Sequence, residues 1–159
     1  NEYAPPMPGL PPIPDAVNNR FDRFCERIYF QNNVYHSYAY RFKRNSNSYM
    51  VSYSNDNQIK YGTVLYYAYV EDSDDVWMVM SELKPTARNL FTRDMKDCIE
   101  SDKINTYLER NQLGYCFTHV TDSNDLVVHR AKFLISRVVM IPDDAGGYVS
   151  YILNCYQHD

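Results

Sequence analysis

A chain of 159 residues with 45% hydrophobic content is long enough to bury a core and too apolar to belong with disordered chains. Its formal net charge of −4 excludes a domain that is basic throughout, the usual state of proteins that grip nucleic acid by its phosphates. No run of about 18 apolar residues is present to cross a membrane as a helix.

Residues 1–14 carry six of the eight prolines (Pro5, Pro6, Pro8, Pro11, Pro12 and Pro14) and read as an extended linker or arm, which would also suit a proline-binding domain. A start at Asn1 without Met reads as an excised fragment. Asp15 then stands as a helix cap before Val17, Phe21, Phe24 and Ile28. That spacing puts all four on one face and predicts a helix over about 16–29.

From Tyr35 to Leu83 the period changes to two. Tyr38, Tyr40 and Phe42 alternate with Ala39 and Arg41, and Tyr49, Val51 and Tyr53 follow in the same rhythm. Turn residues at 54–57 and 72–75 separate strands at Ile59–Val70 and Val76–Leu83, which predicts an antiparallel meander. Gly62 inside a strand pattern predicts a bulge or sharp bend. Pro85 ends the sheet, and the polar stretch after it predicts a helical insertion near 86–113. Strand signals resume at Tyr115–Val120, Leu126–Val128, Phe133–Ile141 and Tyr148–Tyr156, the last two split by a hairpin loop at 142–147. The expected class is mainly β with added helices, in one β-rich binding domain over 15–159.

Catalytic signals are poor. No Gly-x-Ser-x-Gly occurs, five glycines leave no phosphate-cradling loop, and a Cys116–His129 pair has no local support. Asp72, Asp74 and Asp75, like Asp143 and Asp144, fall in predicted turns, where solvated carboxylates keep ordinary acidity. The turn at 72–75 also lacks the further oxygen ligands that calcium needs. Cys116-x-x-His119 and Cys155-x-x-His158 share a spacing that would offer zinc two thiolates and two imidazoles. Neighbours three apart on a strand face opposite ways, so buried cysteines and surface histidines are the simpler reading. No cofactor is expected, and the chain reads as non-catalytic.

The four cysteines (Cys25, Cys98, Cys116 and Cys155) are widely spread and no Asn-x-Ser/Thr acceptor occurs, which points to a reducing, intracellular compartment; two disulfides in a secreted chain are the alternative. What remains is a binding surface. The chain holds 16 Tyr, 7 Phe and one Trp, and tyrosine suits half-buried strands and binding faces alike. Trp77 with Tyr61, Tyr66, Tyr67 and Tyr69, joined by Tyr35 and His36, forms a candidate cage for a cationic group such as methyl-lysine, the simpler reading being that Trp77 is a core residue of a central strand. The alternative is a nucleic-acid stripe of Arg41, Lys43 and Arg44, extended by Arg130, Lys132 and Arg137, with Tyr38 and Tyr40 as stacking groups.

The order Tyr61-Gly62-Thr63-Val64-Leu65-Tyr66-Tyr67, an acidic turn, Val76-Trp77-Met78-Val79-Met80, then Asp125-Leu126-Val127-Val128-His129 and Phe133 to Met140 resembles the strand succession of bromo-adjacent homology (BAH) domains. Tyr35-His36-Ser37, Tyr40, Lys43-Arg44-Asn45, Tyr49 and Val51 are similar to C-terminal segments of transposable-element-derived proteins. The resemblance implies a small curved antiparallel β-barrel with helical additions. It also implies a protein- or peptide-interaction module without catalytic residues, such as a reader of histone tails in a transposon-related nuclear protein.

Overall fold

The computed structural model describes residues 12–40, 49–88 and 117–151. The chain is mainly β. A single helical turn, α1 (Asp15–Asn18), precedes β1 (Arg23–Cys25), β2 (Arg27–Phe30) and β3 (Asn33–His36). Then come β4 (Met50–Asn55), β5 (Gln58–Tyr69), β6 (Val76–Pro85), β7 (Phe117–Arg130), β8 (Leu134–Asp143) and β9 (Gly146–Tyr151). The proline segment 1–11, most of the helical insertion near 86–113 and residues 41–48 lie outside the described residues; the described residues 86–88 are not helical.

The helix over 16–29 is corrected to one turn followed by two strands. Pro14, not Asp15, is the N-cap, and its carbonyl accepts from the N–H groups of Val17 and Asn18 without any side-chain cap. Val17, Phe21 and Phe24 still share a hydrophobic cluster, with Ala68, Val79, Leu126 and Trp77, whereas Ile28 belongs to another. Strand pairing with β5 takes over at Phe24↔Ala68, and a second hairpin begins at Arg27↔His36.

The β2–β3 hairpin turns at Gln31 and Asn32, both at positive φ, and the β4–β5 hairpin at Asp56 and Asn57 in the same way. Two consecutive left-handed residues are the turn that matches strand twist. The second turn lies where the sequence places it.

All ladders are antiparallel, and the main sheet closes on itself: β5 pairs with both β4 and β6, and the order continues β4-β8-β9-β7-β6 to complete a ring of strands, with β1 added to β5. Gly62 is not the bulge. The register of β5 against β6 shifts between Val64 and Tyr66, three residues later. Gly62 instead gives room to Met80, whose Sδ would lie 2.9 Å from an added Cβ. The two short strands expected before and after residue 121 are one strand, β7, whose register shift against β6 spans Asp122–Leu126 and includes Asn124 at φ 57°.

The largest cluster joins Val51, Tyr53, Val64, Tyr67, Met78 and Met80 from the sheet with Tyr35 from the β2–β3 hairpin and with Ala131 and Leu134 at the β7–β8 corner. Each buried Val, Leu or Met among them contributes about 1.5–3 kcal/mol by leaving water. A second cluster (Tyr61, Leu83, Val120, Val138 and Val149) fills the region around β9. Burial pushes the Tyr53 hydroxyl up to about 12 and the Tyr67 hydroxyl still further. The Tyr67 hydroxyl is fully enclosed without a hydrogen-bond partner. Tyr67→Phe is therefore expected to be neutral or to stabilise the fold by about 1 kcal/mol in urea unfolding, because it removes a polar group that is desolvated without compensation.

Candidate functional site

The tyrosine and tryptophan positions expected to form a cage are divided among separate clusters. Tyr35 and Tyr67 are buried in the main core, Tyr61 is buried in the second cluster, and Tyr66 and Trp77 pack half-buried against Phe21, Ala68 and Val79. Tyr69 sits at the end of β5, paired with Arg23 and Val76. The indole of Trp77 already has two cations of the same chain against it: Arg20 Cζ lies 4.5 Å and Arg130 Cζ 5.1 Å from the ring centroid. The correction has a simple cause. Strand alternation and the register shift between Val64 and Tyr66 send neighbouring tyrosines of β5 to opposite sides of the sheet, and each side is covered.

Tyr29 on β2, Phe133 at the β7–β8 corner and Tyr38 just after β3 are exposed, and of these Tyr38 lies among further rings. Ser37 donates its backbone N–H to Glu26, and Tyr38 donates to the Val64 carbonyl, so the chain leaves β3 held between β2 and β5. This places the His36 imidazole flat on the Tyr40 ring, centroids 4.2 Å apart and planes 5° from parallel. Tyr38 meets Tyr49 edge to face at 5.1 Å. Arg27, exposed on β2, holds its guanidinium 5.7 Å from the Tyr40 centroid. Tyr38 is exposed, and His36, Tyr40 and Tyr49 are half-buried. Two ring pairs, one with a cation beside it, thus stand on this segment, with Ser37 and Ala39 buried between them in sequence. His36 on the Tyr40 ring and Arg27 beside it occupy that ring, so the exposed Tyr38 is the part of this segment that offers a π-face to a cation or a planar group, without the preformed box of a cage.

Of the basic stripe, Arg41, Lys43 and Arg44 lie outside the described residues. Arg130 approaches Asp75 at 3.9 Å, Lys132 lies over the Phe133 ring, and Arg137 donates to Asn33 while resting on the Tyr35 ring. These three make different intrachain contacts.

Sequence reasoning missed a polar network at the far end of the sheet. His119 on β7 is 3% exposed. Its Nδ1 lies 2.5 Å from the Thr86 hydroxyl and its Nε2 3.0 Å from Asp143 Oδ2. A neutral imidazole satisfies both, with Nε2–H donating to Asp143 and Nδ1 accepting from Thr86. Arg88 adds Nη1 bonds of 2.8 Å to Asp143 and 3.1 Å to Asp144, and the Ala145 N–H donates to Asp143 Oδ1. Tyr148 closes the site edge-on to the imidazole at 4.8 Å.

The expectation that Asp143 is a solvated turn carboxylate is therefore corrected. Desolvation pushes its pKa up, but hydrogen bonds from Ala145, His119 and Arg88 outweigh this and hold it below the ordinary aspartate value. Both His119 nitrogens are engaged, so the imidazole is not presented to a metal, and Cys116, Cys155 and His158 lie outside the described residues. Among the described residues no group of three or more His, Cys, Asp or Glu could hold a metal ion. Burial raises the Cys25 thiol to about 11, which removes it as a nucleophile at neutral pH. The Thr86–His119–Asp143–Arg88 set ties the end of β6 to β7 and to the β8–β9 turn. Its chemistry is that of a clamp, with every buried polar atom paired.

Among the described residues no helix is long and apolar enough to cross a membrane. No protein-family model, curated protein or solved structure matches the chain.

Proposed function

We propose that this domain is a non-catalytic module that binds a protein or peptide through the aromatic surface of His36, Tyr38, Tyr40 and Tyr49. The observation that carries the reading is the exposed Tyr38 ring, held edge to face on Tyr49 at 5.1 Å, next to the His36–Tyr40 stack, on backbone bonded to Glu26 and Val64. Ordered aromatic side chains of this kind lose little entropy on binding and supply much of the energy of small interfaces. The net charge of −4 favours a cationic peptide, and the BAH resemblance makes a histone tail, in the nucleus, the first peptide to test.

A Tyr38→Ala/Tyr40→Ala double variant is expected to keep its unfolding free energy within about 1 kcal/mol of the parent and to bind a retained peptide at least tenfold more weakly. The check is fluorescence titration of a histone-tail peptide panel, paired with thermal unfolding. Unchanged affinity in a folded double variant would remove this surface from the reading.

A second reading has a specific observation in its favour. Arg27 beside the Tyr40 ring, with Tyr38 exposed, is the cation-and-stacking arrangement used on single-stranded nucleic acid. It predicts that affinity for an oligonucleotide falls steeply between about 50 and 200 mM salt, whereas peptide binding by ring contacts changes little.

A further inference from the structure

We infer that Thr86 is a modification site, whose hydroxyl takes an acyl group from an activated ester such as a thioester. The clamp at the end of β6 has one end in solvent. His119 is buried and Asp143 half-buried, but Thr86 is exposed. Its hydroxyl is held 2.5 Å from Nδ1 of His119, whose Nε2 stands 3.0 Å from Asp143 Oδ2. A hydroxyl on an imidazole that is itself oriented by a carboxylate is the arrangement that activates an alcohol as a nucleophile. The tautomer completes it. With Nε2–H given to Asp143, Nδ1 is the basic nitrogen and faces the Thr86 proton.

Two further contacts fix the attacking oxygen. The Thr86 N–H donates to the His119 carbonyl at 2.8 Å, which seats the residue beside the ring, and the Arg88 N–H donates to Oγ1 at 3.2 Å. The hydroxyl is thus positioned before any reagent arrives. In the step itself an Oγ1 lone pair attacks the acyl carbon and the hydroxyl proton passes to Nδ1. The bond from the acyl carbon to the leaving oxygen or sulfur then breaks, and the leaving group takes the proton from Nδ1. The products are the Thr86 ester and a free alcohol or thiol, with the imidazole neutral again. Asp143 keeps its ion pair with Arg88 and serves to position the ring. The transfer is stoichiometric, so the domain has no turnover. Its consequence lies in the clamp: an esterified oxygen no longer donates to Nδ1, which leaves a buried acceptor unpaired and loosens the tie between β6, β7 and the β8–β9 turn. This inference is independent of the aromatic surface after β3.

The test treats the full 159-residue chain with p-nitrophenyl acetate at neutral pH and follows acetylation by peptide mass mapping. Ser73 is the internal reference. It is exposed, and among the described residues its hydroxyl is bonded only to the Asp75 N–H, so it is a less hindered alcohol without a base. Acetyl ester is expected at Thr86 at least about tenfold faster than at Ser73. Thr86→Val keeps the side-chain shape and should lose the label, whereas Thr86→Ser should retain it. Asp143→Asn, which frees the imidazole to take the other tautomer, should slow the label at least about tenfold in a chain that thermal unfolding shows to be folded. Acetylation should lower the unfolding temperature of the parent more than that of Thr86→Val. A label at Thr86 no faster than at Ser73, or equally fast in folded Asp143→Asn, would overturn the inference. An equal fall in unfolding temperature for parent and Thr86→Val would overturn its effect on the clamp.

Discussion

A Gly146→Ala variant is expected to lose about 4 kcal/mol of stability, enough to unfold much of an ordinary domain at room temperature. Two effects combine. Gly146 has φ +135°, a conformation that side chains rarely adopt. A Cβ there would also overlap the Val120 carbonyl oxygen and lie 3.2 Å from Thr121 Cα. Both obstacles are backbone of β7, so no rotamer change relieves them. To admit the methyl group, β9 would have to draw back from β7 where Val120 pairs with Gly147, opening the cluster that holds Val120, Val138 and Val149.

Gly62→Ala provides the contrast. There the nearest atom is the flexible end of Met80, so a cost of about 1–2 kcal/mol is expected. Urea unfolding of the two variants checks the ranking. Equal costs would mean that the β7–β9 contact is not the rigid element it is taken to be here.

His119→Ala should be the second large effect, a loss of about 3 kcal/mol. It removes a buried ring on which Tyr148 packs and strips partners from Thr86 and Asp143 together. Asp143 also gives the fold a pH dependence whose sign is fixed. Its folded pKa lies below the ordinary aspartate value, so its contribution is complete above about pH 5, where the carboxylate is ionised in folded and unfolded chains alike. It fades as pH falls through about 4 towards the lower folded value. Asp143→Asn should therefore be less stable than the parent at pH 7 and approach it near pH 3. Chemical unfolding at both pH values measures this, and parallel loss at both would show that the carboxylate charge is not what the network uses.

Much of the fold was legible in local pattern. The strands at Val51–Tyr53, Ile59–Tyr69 and Val76–Leu83, the Asp56–Asn57 turn, the end of β6 at Pro85 and the β8–β9 loop lie where the sequence puts them, because each depends on neighbours within a few residues, whereas Ser37–Tyr40, expected as strand, form a turn after β3. The segment 16–29 misled because Val17, Phe21 and Phe24 do share a cluster, as a helical face would, but on a strand and its lead-in. The turn that would have corrected this reading is Gln31–Asn32, which lacks the glycine that usually marks a left-handed pair.

By itself the sequence determined the strand-rich class, the positions of the tight turns and the acidic balance, since composition, alternation and turn chemistry are local quantities. It also supplied Tyr38, Tyr40 and His36 as surface candidates. Only the tertiary structure decided which aromatic rings face outward, because a register shift of one residue at Leu65 exchanges the two sides of β5. Only it joined Thr86, His119 and Asp143, which are separated by 33 and 24 positions and meet because β7 lies beside both the end of β6 and the β8–β9 turn. Ring closure sets that meeting, and no periodicity within a strand encodes it.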